Sequence, residues 1–381
     1  MLVILSQRDS RLGIFGEEIN NSYIPQLSIL NFYQRKEKKS KKYILLFNFN
    51  NLEGVIMLNL NRMLVVFISL MWLSGSVYGA DFVLKAAHNG SAGHPFDDGY
   101  QMFKQVMETD TNGRVEVQVF PAEQLGTEEQ VNEMLQAGTS AINITGSAAL
   151  SNWVPEAELF NLPFIFRDSG HMYRVLDGPI GQRIANSIEN KLGVVFLGWM
   201  YSGNRNAWNN KRPIKKPSDM NGLKIRVMGS AVLVDTFNAL GAQATPMSFG
   251  EVYTSIQQGV IDGAETDHID LQVEKFYEVT KYVSLTGHMY LPAALIMSRK
   301  VFDKLPADIQ TVVFKAGHAA TNYERMVIEG KTLEALEFLK KKGIKFFEVD
   351  KNPFQDAVKS VYTKNAKRVG GMAAIRQVNS Q

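Results

Sequence analysis

The sequence predicts a mainly parallel α/β fold in two lobes, connected by strands that cross between them. Residues 82–145 alternate short apolar strands with amphipathic helices, which is the rhythm of a sheet covered by helices. The same rhythm begins again near Val194, without an internal repeat. A helical pattern from about Pro306 to Lys342 is longer than one lobe needs, so we expect this helix to brace both lobes. Together these observations indicate two hinged lobes around a cleft.

The first lobe begins with three short strands separated by two helices. We predict the strands at residues 82–88, 115–119 and 142–145. Apolar residues recur at helical spacing from Phe96 to Met107, and Asn112-Gly113 ends that helix. Thr127 and Gln130 form a capping box, which predicts a second helix over 128–137.

The second half of the pattern contains longer connections. We predict strands at residues 194–198 and 223–228, with a polar, proline-containing crossing at 205–216 between them. A helix over 232–240 is stopped by Gly241. Ser248 is expected to cap the next helix with Glu251 as its reciprocal partner, and Gly343 ends the long helix.

Composition excludes several classes of protein. The 381 residues are 45% hydrophobic and 21% charged, as in a soluble globular protein with about two domains. The net charge of +3 comes from residues 1–80, because the remainder has 32 basic against 33 acidic residues. That balance argues against a nucleic-acid partner. The absence of cysteine excludes disulfides, thiolate nucleophiles and cysteine-ligated zinc.

Residues 57–80 have the composition of a secretory signal peptide. A short basic lead ends at Arg62, an apolar run follows from Met63 to Leu73, and small residues lead to Ala80. We therefore interpret residues 1–56 as upstream sequence translated in error, and place the protein in the periplasm. A cytoplasmic tail on an uncleaved signal anchor is the alternative. A mature N-terminus near Ala80 or Asp81, found by mass spectrometry of the exported protein, would favour the signal peptide.

Catalytic signatures are missing from the sequence. It contains no G-x-S-x-G elbow, no H-E-x-x-H, no Walker loop and no G-x-G-x-x-G after a strand. One cluster, Asp262, Glu265, Asp267 and His268, has side chains that could bind a hard cation. The alternative is a loop whose carboxylates cap amides and line a cleft. We favour the latter, and expect neither a metal nor a cofactor.

Two arginines are candidates for binding an anion. Arg226 lies within the apolar strand 223–228, where a rigid guanidinium could hold a carboxylate through two parallel hydrogen bonds. Arg205 lies in an asparagine-rich segment that ends at Trp208. From the residues alone, a surface position or an internal ion pair remains possible for Arg226, and a solvated turn for Arg205.

Several ordered motifs give the sequence a family resemblance. They are FPAEQLG (120–126), FNLPFIF (160–166), NNKRPI (209–214), DMNGLKIRV (219–227), PMSFGEVY (246–253) and QQGVIDGAE (257–265). Over residues 81–370 the chain resembles the solute-binding proteins of TRAP transporters, of the dicarboxylate and sialic-acid receptor type. The resemblance implies a periplasmic Venus-flytrap receptor that closes on an organic acid and delivers it to the membrane permease. We expect a monomer.

The resemblance also implies roles for individual residues. Arg226 matches the arginine that fixes the substrate carboxylate, and Arg205 matches a second arginine of the cleft. The other implied contacts are Asn89, a polar contact from the first lobe; Glu128, an acid that can contact hydroxyls; Ser147, at a strand end; and Phe249, an aromatic that packs on the ligand.

One position departs from the family pattern. Many relatives have asparagine where this chain has Thr266, which is followed by Asp267, and threonine has a shorter reach and fewer donors. We keep Thr266 and Asp267 as candidate contacts. Acids and amides around the site favour a sugar acid, such as a uronate or aldonate, over a C4-dicarboxylate. A receptor for a sensor kinase and an exported enzyme are the other hypotheses.

The predicted boundaries complete the domain organisation. Lobe I comprises residues 81–203 plus 292–331, and lobe II comprises 204–291 plus 332–370. Residues 371–381 are expected to form a C-terminal tail.

Overall fold

A computed structural model describes residues 79–381 of the chain. The predicted upstream segment 1–56 and, apart from Gly79 and Ala80, the predicted signal peptide 57–80 lie outside the described residues. Within these residues there are nine strands: β1 (Phe82–Ala87), β2 (Val115–Phe120), β3 (Ile142–Gly146), β4 (Val194–Asn209), β5 (Lys224–Val227), β6 (Gln243–Pro246), β7 (Gly263–Thr266), β8 (Tyr282–Ser298) and β9 (Lys345–Phe347).

Helices cover both faces of this sheet and fill most connections. The α-helices are α1 (Pro95–Asp110), α2 (Glu128–Ala137), α3 (Ser147–Leu150), α4 (Ser169–Asp177), α5 (Pro179–Leu192), α6 (Ala231–Ala239), α7 (Val252–Gln257), α8 (His268–Val273), α9 (Arg299–Phe302), α10 (Ala307–Lys341), α11 (Lys351–Ala357), α12 (Lys359–Asn365) and α13 (Gly371–Asn379). Short 3-10 helices lie at Pro155–Asn161, Pro217–Met220 and Phe276–Glu278. Within residues 79–381, no helix combines the length and apolarity needed to cross a membrane.

The sheet is mixed and has the order β2-β1-β3-β8-β4-β7-β5-β6, with β9 beside β8. Strands within each half pair in parallel: β1 with β2 and β3, and β5 with β6 and β7. The long strands β4 and β8 are antiparallel to each other and run through both halves. One end of this pair adjoins β3, and the other end adjoins β7. The predicted two-lobed α/β architecture with crossing strands is confirmed.

Strand β4 corrects one predicted element. We predicted a strand over 194–198 and a polar crossing at 205–216, but β4 continues to Asn209. The polar side chains in this stretch are satisfied by buried partners. Arg205 pairs with Glu265, and the Asn206 side chain accepts a hydrogen bond from the Gly287 amide at 3.0 Å. Polar composition therefore does not mark a loop here.

The capping predictions have mixed outcomes. The Thr127–Gln130 capping box is formed, with both reciprocal hydrogen bonds. At the later helix only half of the predicted box forms, because Glu251 accepts from the Ser248 amide while the Ser248 hydroxyl caps nothing. Helix α7 accordingly begins at Val252.

The long helix α10 packs against the cores of both halves. Val313, Ala316 and Ala320 are buried with the β1–β3 half of the sheet. At the other end, Leu339 packs in a cluster with Trp208 and other residues of the β5–β7 half. The predicted bracing role of this helix is confirmed.

Residues 371–381, predicted as a tail, contain α13. Its Ala374, Ile375 and Val378 are buried in the largest apolar cluster of the described residues. The Val378 carbonyl also lies 2.9 Å from Nε2 of the buried His171. The lobe boundaries themselves stay a prediction.

A β-bulge interrupts the two crossing strands at the point where they pass from one half to the other. Tyr201 lies opposite Pro292 and Asn204 opposite Tyr290, so that two residues of β4, Ser202 and Gly203, face one residue of β8. Gly203 has φ +78°, and a Cβ at this position would collide with the buried Asp267 carboxylate. The bulge therefore requires glycine for both conformation and space.

We expect Gly203→Ala to destabilise the protein by about 3 kcal/mol, because a left-handed alanine is strained and its methyl overpacks the site. Gly193→Ala is the matched control, since Gly193 has φ +67° and nothing within 4 Å of its missing Cβ. That control should lose only about 1 kcal/mol. Urea unfolding of both variants measures the difference, and equal losses would show that contact with Asp267 does not matter.

Candidate functional site

A cleft lies where the end of β5 meets the loop before α2 and the loop after β6. We call its wider part the outer cavity; it has a volume of about 260 Å³ and is lined by Glu123, Thr127, Glu128, Glu129, Ala149, Arg226, Met228, Gly229, Pro246, Met247, Ser248 and Phe249. A narrow inner pocket of about 20 Å³ shares Glu128, Arg226, Met228 and Phe249 with it. The other residues of the inner pocket are Asn89, His94, Phe96, Gly146, Ser202, Arg205, Asp270 and Leu291.

Arg226 lies in the wall that the two spaces share. The pleat of β5 directs Ile225 and Val227 into the core and places the guanidinium on the cleft side, where the residue is only 2% exposed. Its Nε and Nη2 donate to the Met247 carbonyl at 3.0 and 2.8 Å, whereas Nη1 is buried without a hydrogen-bond partner. Among residues 79–381, no carboxylate oxygen lies within 4.0 Å of this guanidinium.

The buried charge of Arg226 is poorly compensated. Burial lowers the pKa of Arg226, and the negative charge of Glu265, which is not in contact with it, only partly offsets this effect. The guanidinium carbon also lies 5.7 Å from the centre of the Phe249 ring. A cation held in this way offers a free donor and an uncompensated charge to an anion entering the cleft.

Arg205 has a different environment, although it is equally buried. Its Nε lies 2.5 Å from Glu265 Oε2, and its Nη2 donates to the carbonyl oxygen of the same residue. Nη1 faces Asp270 at 3.8 Å. Burial alone would raise the pKa of Glu265, but Arg205 and then His288 outweigh it and hold that pKa at about 2. Arg205 therefore reaches the inner pocket as half of an internal ion pair.

Glu128 lies half-buried in the first turn of α2. Its Oε1 accepts a hydrogen bond from the Gly146 amide at 2.7 Å. Burial, followed by the nearby Glu129, raises the pKa of Glu128 to about 8. At neutral pH the group is mainly protonated, so it can donate as well as accept a hydrogen bond.

Five of the eight residues predicted for the site line the two spaces: Arg226, Arg205, Asn89, Glu128 and Phe249. The structure brings these five together, and their roles toward a ligand stay predictions.

The other three face the protein interior. The Ser147 hydroxyl donates to Asn161 Oδ1 at 2.6 Å. Thr266 Oγ1 accepts from Trp208 Nε1 and donates to the Asp267 carbonyl, both at 3.0 Å. Asp267 caps α8 by accepting from the Asp270 amide at 2.8 Å. As direct ligand contacts, these three are not supported by their positions.

Sequence reasoning missed several residues of the cleft. His94 caps α1 through Nδ1, and its Nε2 lies 3.5 Å from Asp270 Oδ1 on the opposite side. Glu123 accepts from the Gly250 amide at 3.1 Å, again across the cleft. Glu129 adjoins Glu128 on α2. The position of Glu123 within the motif 120–126 was the one available signal, since that loop follows a strand at the carboxyl edge of the sheet.

The residues of the possible cation cluster, 262–268, make separate contacts elsewhere in the protein. Asp262 accepts from the Lys224 amide at 2.9 Å, Glu265 pairs with Arg205, and Asp267 caps α8. The ring of His268 packs edge-on against Phe346. In the part of the chain that the structure describes, no group of three or more His, Cys, Asp or Glu side chains is arranged to hold a metal.

Comparison with known proteins gives consistent results. The family model described as bacterial extracellular solute-binding protein, family 7 (DctP) matches residues 86–368. A solute-binding protein of Verminephrobacter eiseniae is 35% identical over 298 residues, which are 78% of this chain and 87% of the relative.

Solved structures agree with the architecture. A TRAP periplasmic solute-binding protein from Polaromonas sp. JS666, bound to D-erythronate, is 36% identical, with a TM-score of 0.75 over 78% of this chain and 98% of its own. Another from Sulfurospirillum deleyianum, with bound succinate, is 35% identical, with a TM-score of 0.75 over 79% and 99% of the two chains.

Proposed function

The chain belongs to the bacterial extracellular solute-binding proteins of family 7, and we propose that Arg226 is the residue with which it binds an organic acid as a TRAP-transporter receptor. The observation that carries this proposal is the buried guanidinium of Arg226, whose Nη1 has no hydrogen-bond partner in the cleft. An unpaired buried cation is costly, and a carboxylate supplies both the missing acceptor and the missing charge. Relatives bound to D-erythronate and to succinate support a carboxylate as the common feature of the ligands.

The remaining lining residues favour a hydroxylated acid. Asn89 and Glu128 offer both donors and acceptors to ligand hydroxyls, while Phe249 offers an apolar ring face. Arg205 is already neutralised by Glu265, so it would complement a second carboxylate less well than its formal charge suggests. We therefore place sugar acids before C4-dicarboxylates.

Closure of the two halves would couple binding to transport. Ser91 donates to the Glu274 carboxylate through its amide at 2.6 Å and its hydroxyl at 2.7 Å, and Glu123 accepts from Gly250. These contacts bridge the cleft and support a closed arrangement. A ligand that touches both sides favours that arrangement by its differential affinity. The bulge at Gly203 is a suitable place for the crossing strands to bend.

We propose that the protein is exported to the periplasm, releases its ligand unchanged and delivers it to the membrane subunits of a TRAP permease. Two findings support this proposal: the family consists of extracellular solute-binding proteins, and the relatives include TRAP periplasmic solute-binding proteins. Incubation with a bound acid should return that acid chemically intact, whereas its conversion would indicate an enzyme.

A thermal-shift screen of residues 81–381 against organic and sugar acids tests the function. An acid that binds only the folded state must raise the melting temperature, by an amount that corresponds to about 2.7 kcal/mol at a hundred times its Kd. We expect hydroxylated carboxylates to give the largest shifts and the corresponding uncharged sugars to give none. A screen in which no carboxylate stabilises the protein would refute the proposal.

A further inference from the structure

The outer cavity carries an unusual balance of charge. Three carboxyl groups line it, from Glu123, Glu128 and Glu129, and among its described lining residues Arg226 is the only cation. Glu123 is fixed by its hydrogen bond from the Gly250 amide and Glu128 by its bond from the Gly146 amide. Two of the three acids are therefore held in defined positions near the Arg226 guanidinium.

This balance suits one ligand carboxylate and not two. The first carboxylate can take Nη1 of Arg226, which is buried and has no partner. A second one, at the far end of the same molecule, would lie near three acids without a cation to pair with. Arg205 cannot serve as that cation, because its guanidinium already pairs with the Glu265 carboxylate, with 2.5 Å between Arg205 Nε and Glu265 Oε2. In a closed cleft such an unpaired charge is poorly screened.

Ligand hydroxyl groups, unlike a second carboxylate, can bind favourably beside these acids. Each O–H can donate to a carboxylate oxygen, and a protonated carboxyl can donate in return. Burial raises the pKa of Glu123 and, with Glu129 close by, that of Glu128. These carboxyl groups are thus partly removed from water, where a further negative charge beside them is unfavourable and neutral, hydrogen-bonding groups in the far part of the ligand are not.

We propose that the outer cavity makes the receptor selective for hydroxylated monocarboxylates, and that Glu123 and Glu129 are specificity-determining residues that exclude a second carboxylate. This inference rests on the proposed function, because it takes Arg226 as the carboxylate site. It separates the D-erythronate type of ligand from the succinate type, both of which occur among relatives.

The first experiment compares matched pairs of acids by calorimetry. D-erythronate differs from meso-tartrate, and D-gluconate from D-glucarate, only in the oxidation of the terminal carbon. For the unmodified protein we expect the diacid of a pair to bind at least tenfold more weakly than the monoacid, and succinate to bind more weakly than D-erythronate.

The second experiment removes the excluding charges. Glu123→Gln combined with Glu129→Gln keeps an oxygen to accept the Gly250 amide but removes two negative charges. We expect the ratio of diacid affinity to monoacid affinity to rise at least fivefold. Glu133→Gln is the matched control, because Glu133 is exposed on the same helix α2 and lines neither space. If the double variant lacks a melting transition, Glu129→Gln alone decides, with the same directions expected.

The outcomes separate the inference from the function on which it rests. A diacid that binds as tightly as its monoacid overturns the selectivity but leaves the receptor function intact. Selectivity that the Gln variants do not alter removes Glu123 and Glu129 as its cause. Failure of all five acids to bind overturns the proposed ligand class, and the wider thermal-shift screen then decides whether the protein binds any carboxylate.

Discussion

Replacing Arg226 with methionine is expected to weaken organic-acid binding at least a hundredfold. The methionine side chain keeps much of the volume but removes the charge and every donor. Hydrogen bonds to charged groups contribute about 1.5–3 kcal/mol each, so losing a bidentate pair costs about 3 kcal/mol or more. Arg226→Lys keeps the charge without the planar fork and should lose about tenfold. Calorimetry with an acid identified by the thermal-shift screen measures both.

The stability of the same variants makes this test specific. Arg226→Met loses two hydrogen bonds to the Met247 carbonyl, but it also removes a buried charge that pairs with no carboxylate, so the stability of the ligand-free protein should change by less than about 1 kcal/mol. Lys224→Met is the matched control, since Lys224 is exposed two residues earlier on β5 and lines neither space. Unchanged affinity in Arg226→Met, or equal loss of affinity in the control, would remove Arg226 from the site.

Breaking the Arg205–Glu265 pair is expected to have the largest effect on stability. Glu265→Gln leaves a buried guanidinium without its counter-ion, which costs about 3–5 kcal/mol. Replacing both partners by apolar residues, Arg205→Met with Glu265→Leu, should recover much of that loss, because no uncompensated charge remains. Urea unfolding of the single and double variants measures their free energies of unfolding. A loss below about 1 kcal/mol in Glu265→Gln would mean that solvent or another group compensates Arg205.

The pH dependence of stability gives a second measurement on this pair. The folded-state pKa of Glu265, about 2, lies below its ordinary value of about 4.3. Its contribution to stability is therefore complete above about pH 5 and is lost as the pH falls towards 2. The difference in unfolding free energy between the unmodified protein and Glu265→Gln should be full at pH 7 and should shrink in acid. A constant difference down to pH 2.5 would contradict the assignment.

Most of the fold could be predicted from the sequence, because the patterns that indicate its elements are local. Period-two strands, the capping box at Thr127 and the length of α10 each depend on neighbouring residues, and all three are confirmed. The failure at residues 205–209 has the opposite cause. A polar stretch becomes an interior strand when distant residues, here Glu265 and Gly287, satisfy it, and no local pattern contains that information.

The candidate site shows the same division. Arg226 stood out because an arginine in an apolar strand is unusual, and the family resemblance gave it a role. Thr266 was identified by its position in a motif, but the position could not reveal that Trp208 occupies its hydroxyl. Glu129 was overlooked because an exposed helix carboxylate and a cavity-lining one have the same sequence pattern. Only the meeting of α2 with the end of β5 distinguishes them.

The long helix has a consequence for how the molecule comes apart. One continuous rod supplies side chains to the interiors of both halves, through Val313 at one end and Leu339 at the other. If one half unfolded alone, the apolar side chains that α10 buries in that half would be exposed to water, which is unfavourable. The two halves should therefore denature as one cooperative unit.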